Sequence, residues 1–169
     1  GTVEAFRIYG RASPTLGSSR QNLTGGFVLK AVGFDGQERH WKMNKCIVSG
    51  DDTRPRSNLH ITARKLLNDL FPYDTIYEEV PLPGSNKPSR PSKLFADFFV
   101  PAYDLIVEVH GRQHYEFVSF FHKTKADFFK SKSRDKDKKR WCELNSLNFA
   151  ALKFSESEDE WRARIIEQL

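Results

Sequence analysis

The chain of 169 residues carries 29% charged and 38% hydrophobic side chains, enough apolar surface for one ordinary domain with an appendage and too much for a disordered chain. Lysine and arginine outnumber the acids 27 to 22, which favours an anionic partner such as nucleic acid over a cationic one. Two cysteines, Cys46 and Cys142, without CxxC spacing argue against a disulfide scaffold or a structural zinc site, and no apolar run reaches the roughly 18–20 residues of a membrane span. With no signal-peptide pattern visible, a reducing, cytoplasmic setting away from membranes is expected.

The first fifty residues read as a small β-hairpin module: Phe27–Phe34 and Gln37–Met43 are strand-like arms around the turn dipeptide Asp35-Gly36. "GDDTRPR", Gly50 to Arg56, reads as a linker, so residues 1–50 are expected as an accessory module and 57–169 as the main domain. Leu59, Ala63, Leu66, Leu67 and Leu70 recur at helical spacing behind a Ser57 or Asn58 cap, and Phe71-Pro72 ends the run. Thr75–Val80 alternates like a strand, and Pro81–Lys93, rich in Pro, Gly, Ser and basic residues, is a surface loop. Leu94–Val100 and Asp104–His110 follow as strands joined by a turn at Pro101–Tyr103.

A second helix is expected from Lys125 to about Asn145. Asn148–Phe154 is continuously apolar, as an inner strand covered on both faces would be, and Ser157-x-x-Glu160 is a capping box opening a last helix with Trp161, Ile165 and Leu169 inward. From Ser57 the order is helix, three strands, helix, strand, helix. This implies an α/β fold with a mixed sheet flanked by helices.

The two strands around Pro101 each carry a carboxylate among apolar neighbours, Asp97 and Glu108. With Val100 facing Leu105, Asp97 lies directly opposite Glu108, their Cβ atoms roughly 4.5–5.5 Å apart. Two buried carboxylates that close repel, so one is protonated or a cation lies between them. His110, two residues beyond Glu108, shares that face. Hard oxygen ligands suit Mg²⁺ or Mn²⁺, which support phosphate chemistry. A zinc site from His110, His114 and His122 is a weaker alternative, since Gly111 interrupts any helical HxxxH and no cysteine is near.

This order, with Asp97 on the second strand and Glu108-x-His110 on the third, resembles the PD-(D/E)XK nuclease superfamily, whose last position is usually lysine. His110-Gly111 followed by His114 looks more like its very-short-patch-repair branch and related phage and intron homing endonucleases. The resemblance covers Ser57–Leu169. It implies a restriction-endonuclease-like αβββαβα core that hydrolyses phosphodiester bonds of double-stranded DNA with Mg²⁺ or Mn²⁺, as a homing or mismatch-repair-type enzyme, nucleoid-associated if prokaryotic or phage-encoded. Asp97 would be the central metal ligand, completed by Glu108 or a backbone carbonyl. His114 or His110 would activate water or assist the leaving group, and Asp135 and Lys139 would face the phosphate or orient a histidine. The first helix lacks the glutamate many relatives carry and offers His60 or Thr62 near that place.

Lys123–Arg140 holds nine basic residues and three aspartates, so Lys132, Arg134, Lys138 and Lys139 are expected on DNA phosphates, joined by Arg112 and Gln113 and by Lys87 and Arg90 from the loop. Phe117–Phe121 and Phe128-Phe129 are expected in the core. The alternative function is a DNA-binding module of the same fold without catalysis.

Overall fold

The structure, a computed structural model, describes residues 20–21 and 27–169, with side chains from residue 29 onward. The rest of the expected 1–50 module lies outside the described residues. Strand β1 (Arg20–Gln21) pairs with β2 (Phe27–Val32), which pairs antiparallel with β3 (Glu38–Trp41). At the turn between them Gly36 takes φ +79, a left-handed conformation that glycine adopts without steric cost.

The chain continues through β4 (Ile47–Val48), α1 (Asn58–Leu70), β5 (Tyr77–Pro81), β6 (Phe95–Val100), β7 (Leu105–His110), α2 (Lys125–Leu144), β8 (Asn148–Lys153) and α3 (Glu158–Glu167). Strands β4 to β8 form one sheet in that order, antiparallel except for the parallel pair β7–β8. The fold is therefore mixed α/β, a five-stranded mixed sheet with flanking helices and a small antiparallel hairpin.

Sequence signals explain the helix starts. Ser57 accepts the His60 N–H at 3.2 Å, Ser157 accepts that of Glu160 at 3.2 Å, and Thr124 with Asp127 forms a full capping box, each satisfying N–H groups that the first turn leaves unpaired. Helices α1 and α3 bury Leu66, Leu67, Leu70, Trp161 and Ile165 against Phe98, Val100, Leu105 and Val107 on one face of the sheet.

Helix α2 and the hairpin share the other face. Trp41 stacks on Phe99 at 4.4 Å and meets Trp141 edge-on at 5.2 Å. Their indole N–H groups donate to the carbonyls of Pro81 and Pro83 at 2.8 and 2.9 Å, so large rings are buried with their polar edges satisfied. Gly33 and Gly84 sit so close that a Cβ on Gly84 would lie 2.4 Å from Gly33 Cα, and the Phe34 N–H donates to the Gly84 carbonyl at 2.8 Å. Asn145, closing α2, accepts the Val32 N–H at 2.7 Å and donates to the Val32 carbonyl at 3.0 Å.

Three features differ from the sequence expectation or add to it. Strand β8 lies at the sheet edge rather than inside it. Its apolar run reflects helices covering both faces, with Phe149 on the α2 side and Ala150 and Leu152 on the other. Phe117, Phe120, Phe121 and Phe129 are exposed rather than in the core. The buried residues of α2 start only at Asp137; ahead of them the helix packs on its preceding loop, Phe128 meeting the buried His122 edge-on at 5.3 Å. Residues 51–56 are pinned: Asp52 accepts from Arg54 and Arg56, both at 2.8 Å. No helix among the described residues is long and apolar enough to cross a membrane.

Candidate active site

Pairing of β6 with β7 runs from Val100–Leu105 to Phe98–Val107 and ends there, which sets Asp97 across from Glu108 on the face covered by α2. Beyond that point the Val109 N–H donates to Asp97 Oδ2 at 2.8 Å. Glu108 is only 2% exposed. Lys138 extends from α2 to place Nζ 3.0 Å from Glu108 Oε1, and Glu108 shares a hydrogen bond with Asp97.

Burial first, then the adjacent Asp97 charge, pushes the Glu108 carboxyl well above its ordinary range. Burial acts the same way on Asp97, but the hydrogen bonds from Glu108 and Val109, with the Lys138 charge, outweigh it and hold Asp97 below the usual range. The shared proton therefore resides on Glu108 and is donated to an ionised Asp97. One proton and one ammonium compensate the two acids.

A second group adjoins the first. His114 Nδ1 lies 2.7 Å from Asp135 Oδ2, and a carboxylate in that place favours the tautomer with the proton on Nδ1, leaving the Nε2 lone pair free to act as a base. The His110 ring stacks on that of His114 at 4.3 Å with planes 6° apart, and its Nδ1 is 2.9 Å from the Tyr115 hydroxyl. Burial, then the neighbouring His114, lowers the His110 pKa to about 4, so this imidazole is neutral at pH 7. Burial also pushes the Tyr115 phenol up to about 12, so it keeps its proton.

Among the described residues, His110, His114 and Asp135 each offer a ligand atom within 4.8 Å of the others. Asp135, and not His122, is the third member. His122 instead accepts the Val118 N–H at 3.1 Å. An imidazole binds a metal in its ring plane, and two stacked parallel planes cannot both contain one ion, so joint ligation requires one ring to turn. The acid pair is a different donor set. Two facing carboxylates that retain one proton offer hard oxygen donors, and a dication would take that proton's place.

The expected DNA-contacting residues divide into two sets. Lys87 Nζ and Arg90 Nη2 lie 2.8 and 2.9 Å from Asp137 Oδ2, clamping the loop before β6 onto α2. Arg112 pairs with Glu116 at 2.5 Å, Gln113 folds back over Gly111, and Lys138 is turned inward to Glu108. Lys132 and Lys139 line a cleft of about 680 Å³ that His110, His114 and Asp135 also border. Arg134 is exposed beside it.

No family model and no solved structure matches the chain. Two curated relatives are each 36% identical to it. Uncharacterized protein 033L of Invertebrate iridescent virus 3 matches over 92 residues, 52% of this chain and 44% of the relative. Uncharacterized protein 307L of Invertebrate iridescent virus 6 matches over 59 residues, 35% of the chain and 30% of the relative. The chain thus spans less than half the length of the curated relatives it matches.

Sequence reasoning missed Glu78 and Tyr115. Glu78, fully buried on β5, lies 2.5 Å from His60 Nε2 and 2.8 Å from Arg64 Nε. Burial opposes its ionisation, yet the bonds from His60 and Arg64 prevail and bring its pKa to about 2. His60 is thereby turned to Glu78 and stacked on Phe98, while Thr62 donates to the Asn58 carbonyl at 2.8 Å on the exposed side of α1. Glu78 was legible as the buried position of an alternating strand. Tyr115 carried no signal beyond its nearness to His114.

Proposed function

We propose that this protein is a metal-dependent DNA endonuclease with a restriction-endonuclease-like core, of the homing or mismatch-repair type within the PD-(D/E)XK superfamily. The observation that carries the reading is the buried Asp97–Glu108 pair, facing each other beside the His114–Asp135 couple. The element order α1, β5, β6, β7, α2, β8, α3 supports it as well.

Asp97 and Glu108 would hold Mg²⁺ or Mn²⁺, and the ion when bound would polarise a phosphoryl oxygen and lower the pKa of a coordinated water. The remaining work falls to the protein's own groups. Asp135 orients His114, whose Nε2 takes a proton from the attacking water or returns one to the leaving oxygen. His110, held neutral by burial and by the neighbouring His114, avoids adding a like charge there. Lys138 keeps a positive charge at the acid pair, and Lys132, Arg134 and Lys139 neutralise the DNA backbone around the cleft.

Supercoiled plasmid incubated with the protein and Mg²⁺ or Mn²⁺ tests this. The parent nicks or linearises it, EDTA stops the reaction, and Asp97→Ala is inactive; cleavage unchanged in Asp97→Ala overturns the proposal. Comparing mismatched with matched duplexes separates the repair type from the homing type. The Lys138 ammonium beside the Asp97–Glu108 pair favours a second reading, a DNA-binding module in which the ammonium permanently replaces the metal. That reading predicts salt-sensitive binding without cutting.

A further inference from the structure

A row of adjoining depressions runs from the hairpin face to the histidines of the candidate site. One concavity, of about 430 Å³, is bordered by Lys42 and Lys45 of the segment around β3 and β4, and at its other end by Lys93 and Phe95 at the start of β6. A second, of about 450 Å³, begins at the same Lys93 and Phe95 and ends at His114, Asp135 and Lys138. His114 and Asp135 also border the larger cleft beyond. Neighbouring depressions therefore share wall residues, and two of the three border the His114–Asp135 couple.

The first concavity is unevenly charged. Its one carboxylate, Glu79, is already held by Arg56 at 2.6 Å and by Arg54 at 3.7 Å. Lys42, Lys45 and Lys93 are exposed, and among the described residues none of them forms an ion pair. Phe95, 49% exposed, borders both depressions two residues, roughly 7 Å, from Asp97 along the strand. Crossing from β4 to β7 covers three strand spacings, about 14 Å, or roughly four base steps of a duplex.

We infer that Lys42, Lys45 and Lys93 form a phosphate-binding track that holds the DNA duplex on one side of the cut, with the hairpin module as an arm of the substrate groove. This rests on the endonuclease reading for the position of the cut and names the flanking contacts that reading lacks. The lysines bind backbone phosphates without reading sequence, and releasing counterions from the DNA makes their contribution salt-dependent. Phe95 offers an apolar surface to a sugar or an exposed base at the track's inner end.

The test measures binding of a fluorescent duplex by anisotropy in EDTA over a series of salt concentrations, for the whole chain. Lys42→Glu with Lys45→Glu is compared with a control of equal charge change, Lys65→Glu with Arg162→Glu, on the helices of the opposite face. The track predicts at least a tenfold weaker Kd for the first pair than for the control, and a slope of log K against log salt shallower by about two. Equal Kd and slope for the two pairs, or no duplex binding by the parent, overturns the inference. If the parent binds through these lysines but never cleaves with Mg²⁺ or Mn²⁺, the track stands and the endonuclease reading falls; if it cleaves and the pairs match, the reverse holds.

Discussion

Lys138 Nζ lies 3.0 Å from Glu108 Oε1, an ammonium from a helix inserted against a carboxyl that a strand has buried. Removing one partner leaves the other uncompensated. Lys138→Met should cost about 3 kcal/mol at pH 8. The folded-state pKa of Glu108 is raised, so the native protein holds a proton that the unfolded chain has released, and stability falls as pH rises through that window. The cost of Lys138→Met should therefore be smaller at pH 5 than at pH 8, because acid favours the neutral carboxyl form of the pair that the ammonium faces, and adding Glu108→Gln recovers much of it. Urea unfolding of the four-member cycle at both pH values measures this.

His110 has the opposite sign. Its pKa falls from 6.5 to about 4 on folding, so its neutral form supports the fold above pH 6.5 and that support is lost as pH drops toward 4. The loss amounts to about 3 kcal/mol. His110→Gln, which cannot titrate, should flatten the decline in stability between pH 6.5 and pH 4. Thermal unfolding across that range gives the comparison.

Asp135 acts through His114. Asp135→Asn preserves shape but no longer fixes the basic tautomer, and DNA cleavage should fall on the order of a hundredfold or more. Duplex affinity in EDTA should hardly change. A parallel loss of affinity would mark Asp135 as a structural residue.

Glu78 should matter for stability rather than for chemistry. Glu78→Gln leaves His60 and Arg64 without their buried anion and should cost about 2–4 kcal/mol at pH 7. Because folding lowers its pKa to about 2, the parent keeps this contribution down to pH 4.5 and loses it below. Chemical denaturation at pH 7 and pH 3 should show the variant's deficit narrowing in acid.

How much of this was readable beforehand depended on the range of the interaction. The Val100–Leu105 register and the facing of Asp97 and Glu108 followed from strand alternation and a short turn, which fix neighbours locally. Lys138 was legible only as one charge in a basic helix, because nothing in the sequence sets the rotation of α2 over the sheet. The same gap hid the partnership of Lys87 and Arg90 with Asp137, and of His60 with Glu78. The aromatic segments failed for another reason: apolar composition marks a residue as able to pack, but does not show that burial along α2 begins only at Asp137, past Phe129.

Asn145 has a wider consequence. By engaging both the N–H and the carbonyl of Val32, a single amide side chain takes up backbone groups that a neighbouring strand could otherwise pair with. It blunts a ribbon margin that another molecule could otherwise extend, so the small sheet is guarded there against polymerisation by the end of a helix.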